Sequence, residues 1–227
     1  MSRQYVTSPF AETPEQSATS GRPPRMSRVV PGLVLGSAAA TTLLVASSAV
    51  IVTMEEGALR EWWTSGPVEH PGTLDLLVGL ESLTVLTNLV AFVVTGFWLL
   101  NLRRVAEAAS PSTHQRRAPC WAFLGWVVPV VNLWFPFQVV ADASRGVGSK
   151  VTNLWPWWIA WLALLLFNGL STTAGGDLMT EADLTEWIRA QQILGVLVVV
   201  AFVLWWRVVL SATTAAMAAA DGVRVTS

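Results

Sequence analysis

The sequence predicts an all-α integral membrane protein with four transmembrane helices and one proline-broken element that re-enters the bilayer or lies in its interface. Three observations predict this class. Apolar residues make up 53% of the 227 residues and charged residues only 13%, against roughly 25% charged residues in soluble domains. The apolar residues are concentrated in long runs. The arginines are distributed unevenly among the segments between those runs.

The chain begins with a segment rich in Ser, Thr, Pro and Arg, residues 1–28, which lacks apolar periodicity. Such a composition predicts a disordered tail, because it cannot bury enough surface to offset the entropy of ordering. The apolar run that follows begins too late and is too long for a signal peptide. The helical membrane domain is therefore expected over residues 29–220, followed by a short C-terminal tail, residues 221–227.

Four apolar runs are long enough to cross a bilayer as helices, since about 20 residues rising 1.5 Å each cover its core of roughly 30 Å. These runs are residues 31–54, 76–102, 154–173 and 191–210. The alanine-rich stretch 211–220 is expected to prolong the last helix beyond the membrane. A fifth apolar stretch, residues 120–141, contains Pro129 and Pro136, and each proline interrupts helical hydrogen bonding.

Arginine and lysine collect in cytoplasmic loops, so their placement predicts the topology. The basic residues lie in the N-terminal tail, in loops 103–119 and 142–153 and after the last span, whereas loops 55–75 and 174–190 are mainly acidic. Both termini are therefore expected in the cytoplasm. The preference for Arg over Lys, with abundant Ala, Val and Trp, fits a GC-rich bacterial genome, so the expected location is a bacterial plasma membrane. Since residues 120–141 lie between two inside loops, they are expected to enter and leave on the same side. A kinked fifth span is the alternative.

The broken element also contains a sequence signature. Residues 125–138 read GWVVPVVNLWFPFQ and resemble an actinobacterial membrane family, domain of unknown function 4328, whose members read approximately G-W-W-x-x-P-x-x-N-L-W-x-P-Y-Q. The likeness extends over about residues 75–210. Val127 replaces a second Trp, Phe137 replaces a Tyr, and Phe135 stands where a basic residue is frequent. The resemblance implies a membrane location and an architecture, and it implies no activity.

The second span carries a candidate polar site. Glu81, Thr84 and Asn88 follow helical spacing and line one face. An acidic residue at membrane depth marks a candidate proton or cation site. The alternative is that Glu81 lies near the outer interface and reaches lipid headgroups or Arg60.

The broken element carries a second candidate site, formed by its prolines and polar side chains. Its residues are Pro129, Asn132, Trp134, Pro136, Gln138 and Asp142. Asn132 is expected to cap the second half-helix. Gln138 and Asp142 are four residues apart and share a helix face. These groups either line a cytoplasmic cavity or headgroup-binding notch, or only satisfy backbone groups that the break exposes.

Tryptophan is abundant, with 13 residues. Indole rings prefer headgroup depth, so the tryptophans are expected to form belts at the two interfaces. Trp121, Trp126 and Trp134 are expected to seat the broken element in the interface.

No catalytic, cofactor or metal site is predicted. The single cysteine, Cys120, and two histidines in different loops supply no ligand cluster or nucleophile–base pair. With a net charge of −1, no global basic surface for nucleic acid is expected. The expected partners are membrane lipids, a second copy or another membrane protein. The sequence favours a non-enzymatic role in binding lipids or partners, and the alternative is a small oligomeric transporter or channel lined by the polar face of the second span.

Overall fold

The computed structural model describes residues 26–65, 72–111, 115–128, 130–151, 153–175 and 180–226. Within these ranges every regular element is a helix. In chain order the helices are α1 (Val29–Met54), α2 (Glu56–Ser65), α3 (Gly72–Ala109), α4 (Trp121–Val127), a 3₁₀ turn (Val131–Leu133), α5 (Phe135–Gly146), α6 (Trp155–Gly175) and α7 (Glu181–Thr226). Of the predicted tail 1–28, only the last three residues lie in the described part.

The long helices α1, α3 and α7 pack against one another, and α6 packs against α7. Two buried clusters fix their directions. One cluster joins the beginnings of α1 and α6 to the ends of α3 and α7, through Met26, Trp157, Val105 and Ala220 among others. The other joins the end of α1 to the beginnings of α3 and α7, through Val52, Leu77, Leu184 and Ile188. Therefore α3 and α7 run antiparallel to α1 and α6.

The two ends of the bundle differ in charge. We call the end where α1 begins and α7 ends the basic end. Its described charged residues are Arg28, Arg103, Arg104, Glu107, Arg116, Arg117, Asp142, Arg145, Lys150, Arg207, Asp221 and Arg224. We call the opposite end the acidic end, and its described charged residues are Glu55, Glu56, Arg60, Glu61, Asp75, Glu181, Asp183, Glu186 and Arg189.

Among the described residues, three helices are long and apolar enough to cross a membrane: α1, α3 and the segment Glu181–Gly222 of α7. These helices indicate a membrane protein. With 38 residues, α3 extends beyond the predicted span 76–102, and α7, with 46 residues, extends beyond 191–210 at both ends. The helical continuation through residues 211–220 is confirmed. The predicted span 154–173 corresponds to α6, of 21 residues, and a total of four crossings stays a prediction.

The acidic end contains the helix α2, where the sequence predicts a loop. In α2, Leu59 is 2% exposed, while Arg60 donates to Glu56 (Nη2–Oε1, 2.8 Å) and to Thr185 of α7 (Nη1–Oγ1, 3.0 Å). Arg60 also lies 3.7 Å from Glu181. The short helix is thus held by one buried leucine and one arginine.

The expectation that the tryptophans form interfacial belts is wrong for four of them. Trp98, Trp157, Trp158 and Trp205 are at most 9% exposed and belong to the main buried cluster. Trp157 stacks on Trp205 with ring centroids 4.9 Å apart. The indole Nε1 of Trp98 donates to the Thr213 hydroxyl at 3.1 Å, which removes the cost of burying an indole N–H. These rings join α3, α6 and α7.

Candidate functional site

The apolar stretch that contains the prolines folds back on itself. α4 ends at Val127, the chain turns through the 3₁₀ segment, and α5 begins at Phe135. Pro136 occupies the second position of α5, where the missing N–H costs no helical hydrogen bond. The ring of Trp121, at the start of α4, lies 4.6 Å from that of Phe135. We refer to residues 115–146 as the hairpin.

The two ends of the hairpin lie together at the basic end. The backbone N–H of Arg116 donates to the carboxylate of Asp142 at 3.1 Å. Next to it, Arg117 Nε donates to the Gln138 carbonyl oxygen Oε1 at 2.8 Å. These bonds join residues 26 and 21 positions apart. The element therefore returns to the end of the bundle from which it starts.

The hairpin packs along the basic-end half of α3. The ring of Phe123 lies 5.8 Å from that of Phe92 and covers Gly96, where an added Cβ would lie 2.1 Å from it. At the other end of the hairpin, a Cβ on Gly146 would lie 2.6 Å from the Cβ of Ala106. Phe92 and Ala106 are about 21 Å apart along a helix that rises 1.5 Å per residue.

Distances along α3 from Arg103, the first basic residue after its apolar part, measure how far the hairpin extends. Phe92 precedes Arg103 by about 16 Å of helix. This is about half of a hydrocarbon core of roughly 30 Å. The described hairpin therefore extends along α3 for about half the thickness of such a core.

A buried carboxylate closes the mouth of the hairpin. The side chain of Asp142 is 3% exposed. Arg116 donates to Asp142 from Nε (3.1 Å to each carboxylate oxygen) and from Nη2 (2.8 Å to Oδ1). Arg145, one turn further along α5, donates to the same Oδ1. Charge-assisted bonds in this fork geometry are the strong class of protein hydrogen bond, so they offset the cost of burying the carboxylate.

The positive charge of this cluster exceeds its negative charge. Two guanidinium groups share the single Asp142 carboxylate, and they remain 47% exposed in Arg116 and 64% exposed in Arg145. Hydrogen bonding to Asp142 raises the pKa of Arg116 above its ordinary value; burial opposes this effect and attraction to the Asp142 charge adds to it. Arg116 therefore stays charged throughout the physiological pH range.

Further basic groups lie at the same end of the bundle. The guanidinium of Arg117 lies 3.8 Å from the centroid of the Phe135 ring, a cation–π contact. Arg103 donates to Glu107 at 2.7 Å and to the backbone carbonyl oxygen of Arg117. Arg104 and Lys150 are exposed. The mouth of the hairpin is thus a positively charged surface beside an apolar element.

The sequence comparison identifies the family. The family described as "Domain of unknown function (DUF4328)" matches residues 72–214, which is more than half of the chain. The chain belongs to the DUF4328 family. The predicted membership of this family is thereby confirmed. No curated protein matches the chain, and no solved structure matches it either.

The DUF4328 region extends from the beginning of α3 into the C-terminal half of α7, so it contains the whole hairpin. It excludes α1 and α2. Within this region the structure brings Gln138 and Asp142 together at the mouth, each bound to an arginine of the preceding loop. The two side chains on this predicted helix face are therefore already bound to other residues of the chain.

The other predicted residues of the broken element have different roles. Asn132 does not cap α5, because it lies in the 3₁₀ turn, and Trp134 occupies the cap position without a side-chain hydrogen bond. The Asn132 Oδ1 atom is buried without a hydrogen-bond partner among the described residues. Trp134 is 58% exposed, whereas Trp126 packs on Trp161 at 5.5 Å. Pro129 lies outside the described residues.

The predicted polar site of the second span is not brought together with the hairpin mouth. Glu81 and Asn88 are exposed, and Thr84 donates to the Leu80 carbonyl of its own helix at 2.8 Å. Glu81 does not reach Arg60, which is bound to α2 and α7 residues. The polar link between α3 and α1 is instead Thr87, which accepts from the Thr41 hydroxyl at 3.0 Å.

From the sequence, the arginines of the mouth predicted only the topology, and their side-chain partners were missed. Arg116 and Arg117 precede the broken element, and Asp142 and Gln138 lie near its end. A hairpin topology would bring these two segments together. The expected same-side topology, together with the opposite charges of Arg116 and Asp142, could therefore have predicted this ion pair.

Proposed function

We propose that this protein is a non-enzymatic, multi-span protein of the bacterial plasma membrane that binds anionic lipid headgroups at the mouth of its hairpin. Both termini and the basic end face the cytoplasm in this proposal. The observation that carries it is the arrangement around Asp142, where one buried carboxylate orients two half-exposed guanidinium groups. One positive charge of the three-residue cluster remains uncompensated.

The geometry suits phosphate for two reasons. A guanidinium fixed by one partner has already lost part of its side-chain entropy, so a second acceptor is bound at a lower entropic cost. Arg104 and Lys150 add exposed charges at the same end of the bundle. Juxtamembrane basic residues gain about 1 kcal/mol each near an anionic leaflet. The exposed ring of Trp155, 57% accessible, stands beside the hairpin, and such rings favour headgroup depth.

The hairpin fixes which segments share a side, and the distribution of arginines supports the orientation of that side. The hairpin returns to the end from which it starts, and the segments at that end carry most of the arginines. Arginine-rich segments remain on the cytoplasmic side of bacterial membranes. A hairpin that enters from this side brings its charged mouth to the inner leaflet and its apolar turn into the hydrocarbon.

The test is retention of anionic lipid by the purified full-length protein. Arg104→Gln combined with Lys150→Gln removes two exposed charges and leaves the Asp142 cluster intact. At about 1 kcal/mol per charge, the affinity for phosphatidylglycerol falls roughly 30-fold, measured by native mass spectrometry after titration with this lipid. The matched control is Arg60→Gln with Arg189→Gln at the acidic end, which leaves retention unchanged.

Equal retention by the basic-end and wild-type proteins would contradict the proposal. Equal loss for phosphatidylcholine and phosphatidylglycerol would contradict it as well, because the proposed site recognises the net negative charge of the headgroup.

A further inference from the structure

One face of α3 is covered by the hairpin over half of its length and bare over the other half. We define the hairpin face by two series of residues at seven-residue spacing, which keeps them on one side of a helix. The series are Val78, Val85, Phe92, Leu99 and Ala106, and Glu81, Asn88, Thr95 and Leu102. Toward the basic end Leu99, Leu102 and Ala106 are 0% exposed. Toward the acidic end Val78 and Val85 are 63% and 70% exposed.

The boundary between the two halves is the tip of the hairpin. Phe92 touches Phe123 of the hairpin, and the hairpin face beyond Phe92 is exposed at all four positions, Val78, Glu81, Val85 and Asn88. The apolar window of α3 is only 17% buried, against 39% for that of α7. The bare half therefore has no neighbour among the described residues.

Lipid is a poor neighbour for this surface. Asn88 lies about 22 Å of helix from Arg103 and about 20 Å from Asp75, which places its amide well inside the hydrocarbon. Within the described part of the chain, the side chains of Asn88 and Glu81 make no hydrogen bond or ion pair. A polar group left unsatisfied in hydrocarbon is costly, and such groups in membrane helices are usually directed toward protein.

We propose that a second copy of this chain covers the bare half. Two α3 helices then pair around a two-fold axis that runs between the two Asn88 side chains. The asparagine amide contains both a donor and an acceptor. It is therefore complementary to an identical amide across a two-fold axis, which a charged or donor-only side chain is not. Hydrogen bonds of this kind join helices within membranes.

The spacing of the surface fits the same arrangement. Val78, Glu81, Val85 and Asn88 follow the alternating three- and four-residue steps of a heptad seam, which is the geometry of left-handed helix pairs. The two valines, one turn on either side of Glu81, provide the packing surface. Glu81 lies about 10 Å nearer the acidic end than Asn88, so its carboxylate is the closer of the two to water.

Disulfide cross-linking tests the pairing in reconstituted vesicles of the full-length protein. The native Cys120 is exposed, so it is first replaced by serine. Val85→Cys places a thiol on the seam, and Val90→Cys is the matched control, because Val90 is also exposed but lies about 140° around the helix from Val85. After oxidation, Val85→Cys gives a covalent dimer at a yield at least about fivefold above that of Val90→Cys.

The amide is tested in the Val85→Cys background. Asn88→Leu lowers the dimer yield about threefold to tenfold, in line with interhelical hydrogen bonds in membranes, whereas Asn88→Gln retains it because the amide is kept. Glu81→Gln leaves the yield equal or higher. Circular dichroism and gel filtration confirm that each variant folds.

Three outcomes would overturn the proposal. The first is equal cross-linking of Val85→Cys and Val90→Cys, which indicates random collision. The second is a product formed only in native membranes at the mass of a different protein, which indicates another partner. The third is no dimer together with labelling of Asn88→Cys by an impermeant thiol reagent, which indicates that the face lines water, as in a transport path.

Discussion

Arginine–carboxylate pairs occur at both ends of the bundle, but among the described residues the one buried carboxylate is that of Asp142 at the basic end. Asp142 is 3% exposed, whereas the acidic-end partners of Arg60 are 37% exposed in Glu56 and 69% exposed in Glu181. Exposed pairs gain little because water and salt screen them. A buried carboxylate that loses its cations is far more costly.

The two clusters also join different parts of the chain. The basic-end cluster closes the hairpin, since Arg116 and Asp142 belong to its opposite ends. The acidic-end cluster fastens the short helix α2 to the beginning of α7 through Arg60 and Thr185. The cluster with the buried carboxylate therefore determines the path of the chain, whereas the cluster with exposed carboxylates attaches a surface helix.

The largest predicted effect comes from removing both cations from Asp142. Arg116→Gln combined with Arg145→Gln leaves the carboxylate buried with only amide donors, and we expect a loss of about 3 kcal/mol in the free energy of unfolding. Unfolding by dodecyl sulfate in mixed micelles, followed by tryptophan fluorescence, measures it. A smaller loss than that of Arg60→Gln would contradict the prediction that the Asp142 cluster contributes more to the free energy of unfolding than the acidic-end cluster.

A second prediction concerns the packing of the hairpin on α3 at the basic end. In Gly146→Val the new Cβ meets the Cβ of Ala106 at 2.6 Å, and neither atom can rotate away. Overpacking of this kind costs about 2 kcal/mol, measured in the same titration. The control is Gly32→Val, whose Cβ has no described atom within 4 Å; equal effects of the two variants would show that the hairpin does not pack here.

The smallest predicted effect belongs to the acidic end. Arg60→Gln removes two partly exposed ion pairs, to Glu56 and Glu181, and one hydrogen bond to Thr185. We expect a loss of at most about 1 kcal/mol, and less at high salt, because exposed pairs are screened. Parallel titrations at low and high ionic strength measure both. A loss above 2 kcal/mol, insensitive to salt, would show that this end is also held by a desolvated pair.

The membrane helices were predictable from apolar length, because a bilayer imposes a minimum run of apolar residues. The break in residues 120–141 was predictable from proline chemistry, and Pro136 indeed lies in the first turn of α5. In contrast, α2 was missed because its ten residues are too few and too polar to form an apolar run. Helices of this kind depend on contacts made by single residues such as Leu59.

The candidate site was only partly predictable. Gln138 and Asp142 were placed on one face by their spacing, but the partners that occupy them lie 21 and 26 residues away. Such contacts depend on the fold and not on local pattern. The tryptophans were misassigned for a related reason, since an indole suits both a lipid interface and a core in which its N–H has a partner, as Trp98 has in Thr213.

The central claim is that the hairpin begins and ends on one side of the membrane. Cys120 and Lys150 are exposed at its two ends, so native Cys120 and Lys150→Cys in a Cys120→Ser background are treated with an impermeant maleimide on intact cells and on inverted vesicles. We predict that both thiols react in inverted vesicles and neither in intact cells. Labelling of the two positions from opposite sides would contradict the account and establish a crossing between them.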